Sequence, residues 1–343
     1  MRHQRLAASA LVAGIVVFAL AGRWASAQDG SGPPAGHAYR LDADHFKLPG
    51  GRKIGSTAGI AIDPDGSSVW VFDRCAASNC VGSDVAPILK FDTTGRLVQS
   101  FGASMFVRPH GIYVDAERNV WVTDGEGPDG RDPRRDGKGH QVFKFSPTGE
   151  LLMSLGKPGV AGDGPDEFNE PSAVVVARNG DIFVADGHGG RSNARIVKFS
   201  KDGTFVKTWG RKGTGPGEFN TPHALALDSR GRLFVGDRGN NRIQIFDQNG
   251  KFLDEWRQFG NPSGLYIGKN DVLYVTEIGT NTEKGPDWKR GIRIGSAVDG
   301  AVAELIEDPD GPRASQEGVT ADAAGNVYAS LTIGMALRRY VKR

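Results

Sequence analysis

The stretch Gly217 to Trp256, GEFNTPHALALDSRGRLFVGDRGNNRIQIFDQNGKFLDEW, carries the hydrophobic and polar pattern on which the chain is built. Small and apolar residues alternate from Ala224 to Asp228, Ser229-Arg230-Gly231 turns the chain, and apolar positions return from Arg232 to Gly236. Asp237 to Asn241 turns again, Arg242 to Phe246 runs back, and Asp247 to Gly250 leads into a last run, Lys251 to Trp256. Short apolar runs bounded by Gly, Asn and Asp mark strands joined by tight turns. The spacing predicts four antiparallel strands in about 40 residues.

The unit occurs six times. Its first strands begin at Ala58, His110, Ser172, His223, Ser263 and Glu317, and second strands follow at the same offset, from Val69, Val120, Ile182, Leu233, Leu273 and Val327. A four-stranded unit repeated in this way is one blade of a β-propeller, so the expected fold is all-β, a six-bladed β-propeller over residues 39–343. The sixth copy reaches Arg343 after three strands. The segment around Tyr39 to Leu48 is available as the fourth, and this N-terminal strand would close the ring and pair otherwise exposed edges.

Composition changes this picture at the N-terminus. Residues 1–27 read as a signal peptide: Arg2 and Arg5 form a basic start, Leu6 to Ala21 is apolar, and Ala25-Ser26-Ala27 fits the small-x-small cleavage pattern. A retained anchor is the alternative, although the apolar stretch is slightly short for a membrane span. Residues 28–38, rich in Gly, Pro and Ser, read as a flexible leader. Loss of Arg2, Arg5 and Arg23 leaves 39 basic against 40 acidic residues, a formal charge of −1. That balance calls for no nucleic acid and no anionic membrane as partner. The protein is therefore expected to be exported, periplasmic or secreted, and monomeric. Its two cysteines, Cys75 and Cys80 in CAASNC, are expected to form a local disulfide in such a compartment.

Candidate chemistry lies at the residue before each first strand. In order this position reads Ala58, His110, Ser172, His223, Ser263, Glu317, so blades two, four and six present metal-ligand side chains and the others present small residues. Alternate blades of a six-fold ring are about 120° apart, so these three side chains would converge on the axis. Two imidazoles and a carboxylate there suit a divalent metal with open positions for water or substrate. The structural alternative is that His110 and His223 merely pack beside Pro109 and Pro222; the three-fold alternation favours the metal.

The long insertions, Arg74 to Ala86, Gly125 to His140, Gly187 to Ala194 and Ile278 to Arg290, all follow second strands. Because strands alternate in direction, these loops share a face with the segments leading into the first strands and would wall a substrate pocket around the axis. His140 is expected at the surface, at the start of a strand. The Arg131, Arg134, Arg135 and Lys138 cluster is interspersed with aspartates and reads as a solvated loop. Asp124, Asp186, Asp237 and Glu277 recur after their second strands and are assigned to satisfying turn amides.

The stretches GPGEFNTPHALALD, LFVGDRGNNRIQIFD and FNEPSAVVV resemble NHL repeats, and the array from Tyr39 onward resembles the propeller of peptidyl-α-hydroxyglycine α-amidating lyase. The resemblance implies zinc held by Pro-His elements of alternating blades, which carries to His110 and His223. At the third corner Gln316-Glu317-Gly318 stands where the family has Pro-His-Asp, so Glu317 would complete a two-His, one-carboxylate set. Gly318 replaces the aspartate that the family associates with structural calcium. Arg74, in Val-Phe-Asp-Arg-Cys, aligns with the family's strand-end arginine beside the substrate; the alternative is a surface arginine. His188, in Asp186-Gly187-His188, stands where the family has a catalytic tyrosine, and three readings stay open: a third imidazole near the metal, a general base, or a loop residue.

The resemblance implies cleavage of a carbinolamide carbon–nitrogen bond in a small-molecule or peptide-derived substrate. Arg74 and His188 are the candidate catalytic residues, and His110, His223 and Glu317 the candidate metal ligands. No hydroxylating companion is recognised in the 343 residues, so the natural substrate is expected to be a different hydroxylated or carbonyl compound. The competing expectations are a propeller metal-dependent hydrolase or lactonase and a non-catalytic exported NHL binding module.

Overall fold

A computed structural model describes residue 1 and residues 38–278, 288–311 and 315–343. All but the first residue of the expected signal peptide, nearly all of the leader and the centre of the fourth insertion lie outside the described residues. The described chain forms six four-stranded antiparallel sheets, five of them simple meanders. The fourth blade of the ring comprises Pro222–Leu227, Leu233–Asp237, Arg242–Phe246 and Phe252–Trp256.

Blade six closes as expected: Tyr39–Asp42 pairs antiparallel with Leu337–Lys342, Tyr39 opposite Lys342 and Asp42 opposite Arg339. One sheet thus joins the two ends of the repeat array, and the outermost position of blade six is filled from the N-terminal side.

Radial position explains the residue patterns. Second and third strands lie between neighbouring sheets and are buried on both faces, as in Val69–Asp73, Ile182–Asp186 and Arg242–Phe246. Fourth strands form the outer edge and alternate exposure, as in Leu97–Phe101. The hydrophobic core is split into six clusters, one in each gap between adjacent blades; Trp70, Phe72 and Phe106 meet Val122 and Phe145 between blades one and two. Burial of each such aliphatic or aromatic side chain contributes on the order of 1.5–3 kcal/mol.

Polar pins align the inner hairpins. Asp63 accepts from Trp70 Nε1 (3.0 Å), Asp115 from Trp121 Nε1 (2.9 Å), and Asp322 from the Tyr328 hydroxyl (3.0 Å). Cys75 and Cys80 are bridged. Among the described residues no helix is long and apolar enough to cross a membrane.

Candidate functional site

Each first strand opens on a β-bulge. Between Pro222 and Ala224 the register against the second strand slips by one residue, and the extra residue is His223. The same irregularity falls at Ala58, at His110-Gly111, at Ser172, at Ser263 and at Glu317. A bulge re-aims its extra side chain, so these six positions leave the sheet planes.

The acidic residues at the ends of the second strands hold the segments before the bulges. Asp124 accepts from the amides of Val107 (2.9 Å) and Arg108 (2.6 Å), Asp186 from Asn169 (2.8 Å), Asp237 from Asn220 (2.7 Å) and Glu277 from Asn261 (3.0 Å). Their expected structural job is what the structure shows. By fixing the approach to Pro109 and Pro222 they also fix the two histidines that follow.

His110, His223 and Glu317 meet, and His188 joins them from its loop. Their potential ligand atoms all lie within 4.8 Å of one another. The imidazole centroids of His110 and His223 are 4.7 Å apart, and that of His188 lies 4.7 Å from His110 and 5.1 Å from His223. Nδ1 of His110 lies 2.7 Å from the carbonyl oxygen of Ser172, and Nδ1 of His223 lies 2.7 Å from that of Ser263. A carbonyl only accepts, so both rings carry their proton on Nδ1 when neutral, which leaves Nε2 as an acceptor. The blades with small residues thus supply the carbonyls that orient the histidines of the preceding blades. That is the physical content of the alternation along the ring.

The two Nε2 lone pairs face a carboxylate. Glu317 Oε1 is 3.1 Å from His223 Nε2 and 3.5 Å from His110 Nε2, and the latter nitrogen is buried with no hydrogen-bond partner. Acceptors that face one another need a cation between them. Burial, with the Arg238 charge adding to it, lowers His223 to about 3, and burial likewise lowers His110, so protonation of the rings is disfavoured. Burial also depresses His188, with His110 and His223 acting in the same direction. Neutral imidazoles with Nδ1 tied to carbonyls, together with one carboxylate, fit a divalent first-row ion such as zinc. They do not fit calcium, which takes six to eight oxygens. At Gly318, where the family has the aspartate associated with calcium, a Cβ would press on the Ala58 carbonyl oxygen and on Ser330 Oγ, so an aspartate would require its surroundings to shift.

Arg74 is not a surface residue. Its Nε donates to the Pro109 carbonyl (3.0 Å) and its Nη1 to Ser56 Oγ (2.9 Å), while Nη2 is buried without a partner. Burial and the neighbouring Arg108 lower it to about 10, against an opposing pull from Glu317. His140 corrects an expectation: it is 7% exposed, not at the surface. Its positive φ of 55° turns the chain sharply into the third strand, and its Nδ1 accepts from the amide of Glu170 (3.3 Å), so the ring is folded inward. In the basic loop, Arg134 pairs with Asp132 and Arg135 with Glu126 and Asp129.

Arg238 was missed. It donates from Nη1 to His223 Nε2 (2.8 Å), lies 3.6 Å from Glu317 Oε1, and reaches to 3.5 Å from His188 Nε2. A signal was present: Asp237-Arg238 in blade four repeats Asp73-Arg74 in blade one, so two arginines leave equivalent strand ends on opposite sides of the ring.

Comparison with known proteins agrees with the repeat reading. The NHL repeat family matches residues 168–199 and 219–246. The propeller is built of NHL repeats. The NHL propeller is 37% identical over 257 residues to NHL repeat-containing protein 3 of Homo sapiens, covering 73% of this chain and 65% of that protein. It is 38% identical over 145 residues to peptidyl-alpha-hydroxyglycine alpha-amidating lyase 1 of Drosophila melanogaster, covering 39% of this chain and 24% of that one. The chain thus spans less than two thirds of either relative. A solved streptogramin B lyase superposes with a TM-score of 0.58 over 89% of this chain and 98% of its own, at 18% identity, a likeness of fold alone.

Proposed function

We propose that the NHL propeller is an exported metal-dependent lyase that cleaves the carbon–nitrogen bond of a carbinolamide-type small molecule or peptide derivative carrying a carboxylate. The observation that carries this reading is the axial set of Nε2 lone pairs facing Glu317 beside the unpaired Nη2 of Arg74. His110, His223 and Glu317, all on first strands, would hold the ion, with zinc favoured by the donor set. When bound, the ion supplies Lewis-acid polarisation of the substrate oxygen and lowers the pKa of its hydroxyl.

The chain's own residues supply the rest. Arg74 and Arg238 flank the axial set and hold the carboxylate through charge-assisted hydrogen bonds. His188, carried on a loop instead of a first strand, is neutral and accepts the hydroxyl proton at Nε2. The C–O bond becomes a carbonyl, the C–N electron pair stays on nitrogen, and His188 returns the proton there. The products are an amide and a glyoxylate-type aldehyde. The similarity to proteins named amidating lyases supports this reaction. The signal-like residues 1–27 and the Cys75–Cys80 bridge support export.

A second reading, a non-catalytic binding module, is favoured by one observation: the Arg238 guanidinium already provides a cation beside Glu317 and His223. Elemental analysis together with an assay for α-hydroxyhippurate cleavage separates the two. The lyase reading expects one transition metal per chain, loss of most of it in His110→Ala and His223→Ala, and benzamide with glyoxylate as products. Fully folded protein that takes up no metal and turns over no substrate establishes the binding module.

A further inference from the structure

A cavity of about 300 Å³ runs between the first strands. His110, His223 and Glu317 line one end; Pro64, Val114, Leu227 and Ile267, near the other ends of those strands, line the opposite one. Ala61, Ile112 and Ala173 lie mid-strand yet keep partial exposure, which places apolar surface against this space. Apolar surface left uncovered inside a protein is a place for an apolar ligand.

A second hollow, of about 620 Å³, adjoins the first and shares Tyr113, Leu227 and Ile267 with it. Its walls carry Arg178, Arg230 and Lys269. Arg230 lies 3.5 Å from Asp228, a carboxylate that already holds Arg232 at 2.7 Å. Asp271, also in the wall, is engaged by the Ser229 amide and hydroxyl at 2.8 and 2.6 Å. Arg178 and Lys269 make no ion pair among the described residues and are exposed. The channel between the first strands is thus apolar along its length and meets, at Tyr113, Leu227 and Ile267, a polar mouth away from the histidines, where Arg178 and Lys269 are the cations that make no ion pair among the described residues.

We propose that this channel binds a small monocarboxylic acid with an unbranched apolar tail, the tail lying between the first strands and the carboxylate at Arg178 and Lys269. An apolar tail covers the partly exposed alanine and isoleucine positions, and a carboxylate is the group that complements two unpaired cations in a half-open setting. The carboxylate end lies away from the histidines, and the proposal does not depend on the chemistry proposed for the other end of the same cavity.

Isothermal titration of the full chain with decanoate tests the proposal, with decanol as the uncharged control. Saturable one-to-one decanoate binding is expected, at least tenfold weaker for decanol. Ala61→Leu, which fills the channel, should abolish it, and the double charge reversal Arg178→Glu with Lys269→Glu should weaken it at least tenfold, with metal content unchanged in both. Circular dichroism checks that the variants fold; if Ala61→Leu does not, the exposed charge-reversal pair decides. Absence of saturable binding, equal affinity for decanol, or decanoate affinity unmoved by the charge reversal overturns the proposal.

Discussion

Arg238 donates from Nη1 to Nε2 of His223 across 2.8 Å, onto the lone pair that a metal ion would take. The two roles exclude each other, so His223 would hold an ion only with this guanidinium moved off Nε2. Arg238 starts a short turn, Arg238–Asn240, and can swing without disturbing a strand. In Arg238→Ala the competing cation is gone and metal retention against a chelator should rise several-fold. Carbinolamide cleavage should fall on the order of a hundredfold in kcat/KM, as for removal of a donor at a developing charge. Lower metal retention in the variant would assign Arg238 to holding the cluster together.

Gly318 is constrained by contact and not by backbone torsion. An aspartate there would press its Cβ on the Ala58 carbonyl and Ser330 Oγ. Gly318→Asp should lower stability by about 1–3 kcal/mol, the usual penalty of overpacking. A thermal melt with and without calcium checks this: the melting temperature should drop, and calcium should not restore it.

Asp63 predicts the acid limb of stability. Burial pushes its carboxyl up, but Lys90 at 2.7 Å, Trp70, the Asp65 amide and Arg118 outweigh that and hold it at about 2. A depressed carboxyl stabilises the fold above its unfolded pKa of about 4, and the contribution is lost as pH falls toward 2. Asp63→Asn should cost about 2 kcal/mol at pH 7 in a denaturant titration. Between pH 4 and pH 2 it should lose less stability than the wild type does.

The closing strand gives a further test. Deleting Tyr39–Asp42 leaves Arg339 to Lys342 of the last strand as an unpaired edge. Exposed edges template association, so the truncated protein should melt earlier and form higher oligomers by size-exclusion chromatography, with the five other blades still paired.

Much of the site was legible because the repeat is a ruler. Six copies in one register let His110, His223 and Glu317 be picked out as the members that differ, and closure by a strand from the segment around Tyr39 to Leu48 followed from counting strands. Arg238 was passed over because in one dimension it reads as a turn residue of GDRGNN. His140 was misjudged because a positive φ, not the local pattern, decides where its ring goes.

By itself, then, the sequence determined the number of blades, the strands within each, and which blades carry ligand-type side chains, since turn chemistry and apolar alternation are local properties that repeat. The tertiary structure alone decided that the bulges aim those side chains inward, that Ser172 and Ser263 lend their carbonyls to set the imidazole tautomers, and that His188 and Arg238 reach the same few ångströms. These contacts join residues 40 to 62 positions apart, where only the packing of adjacent blades brings one blade's carbonyl against the preceding blade's histidine.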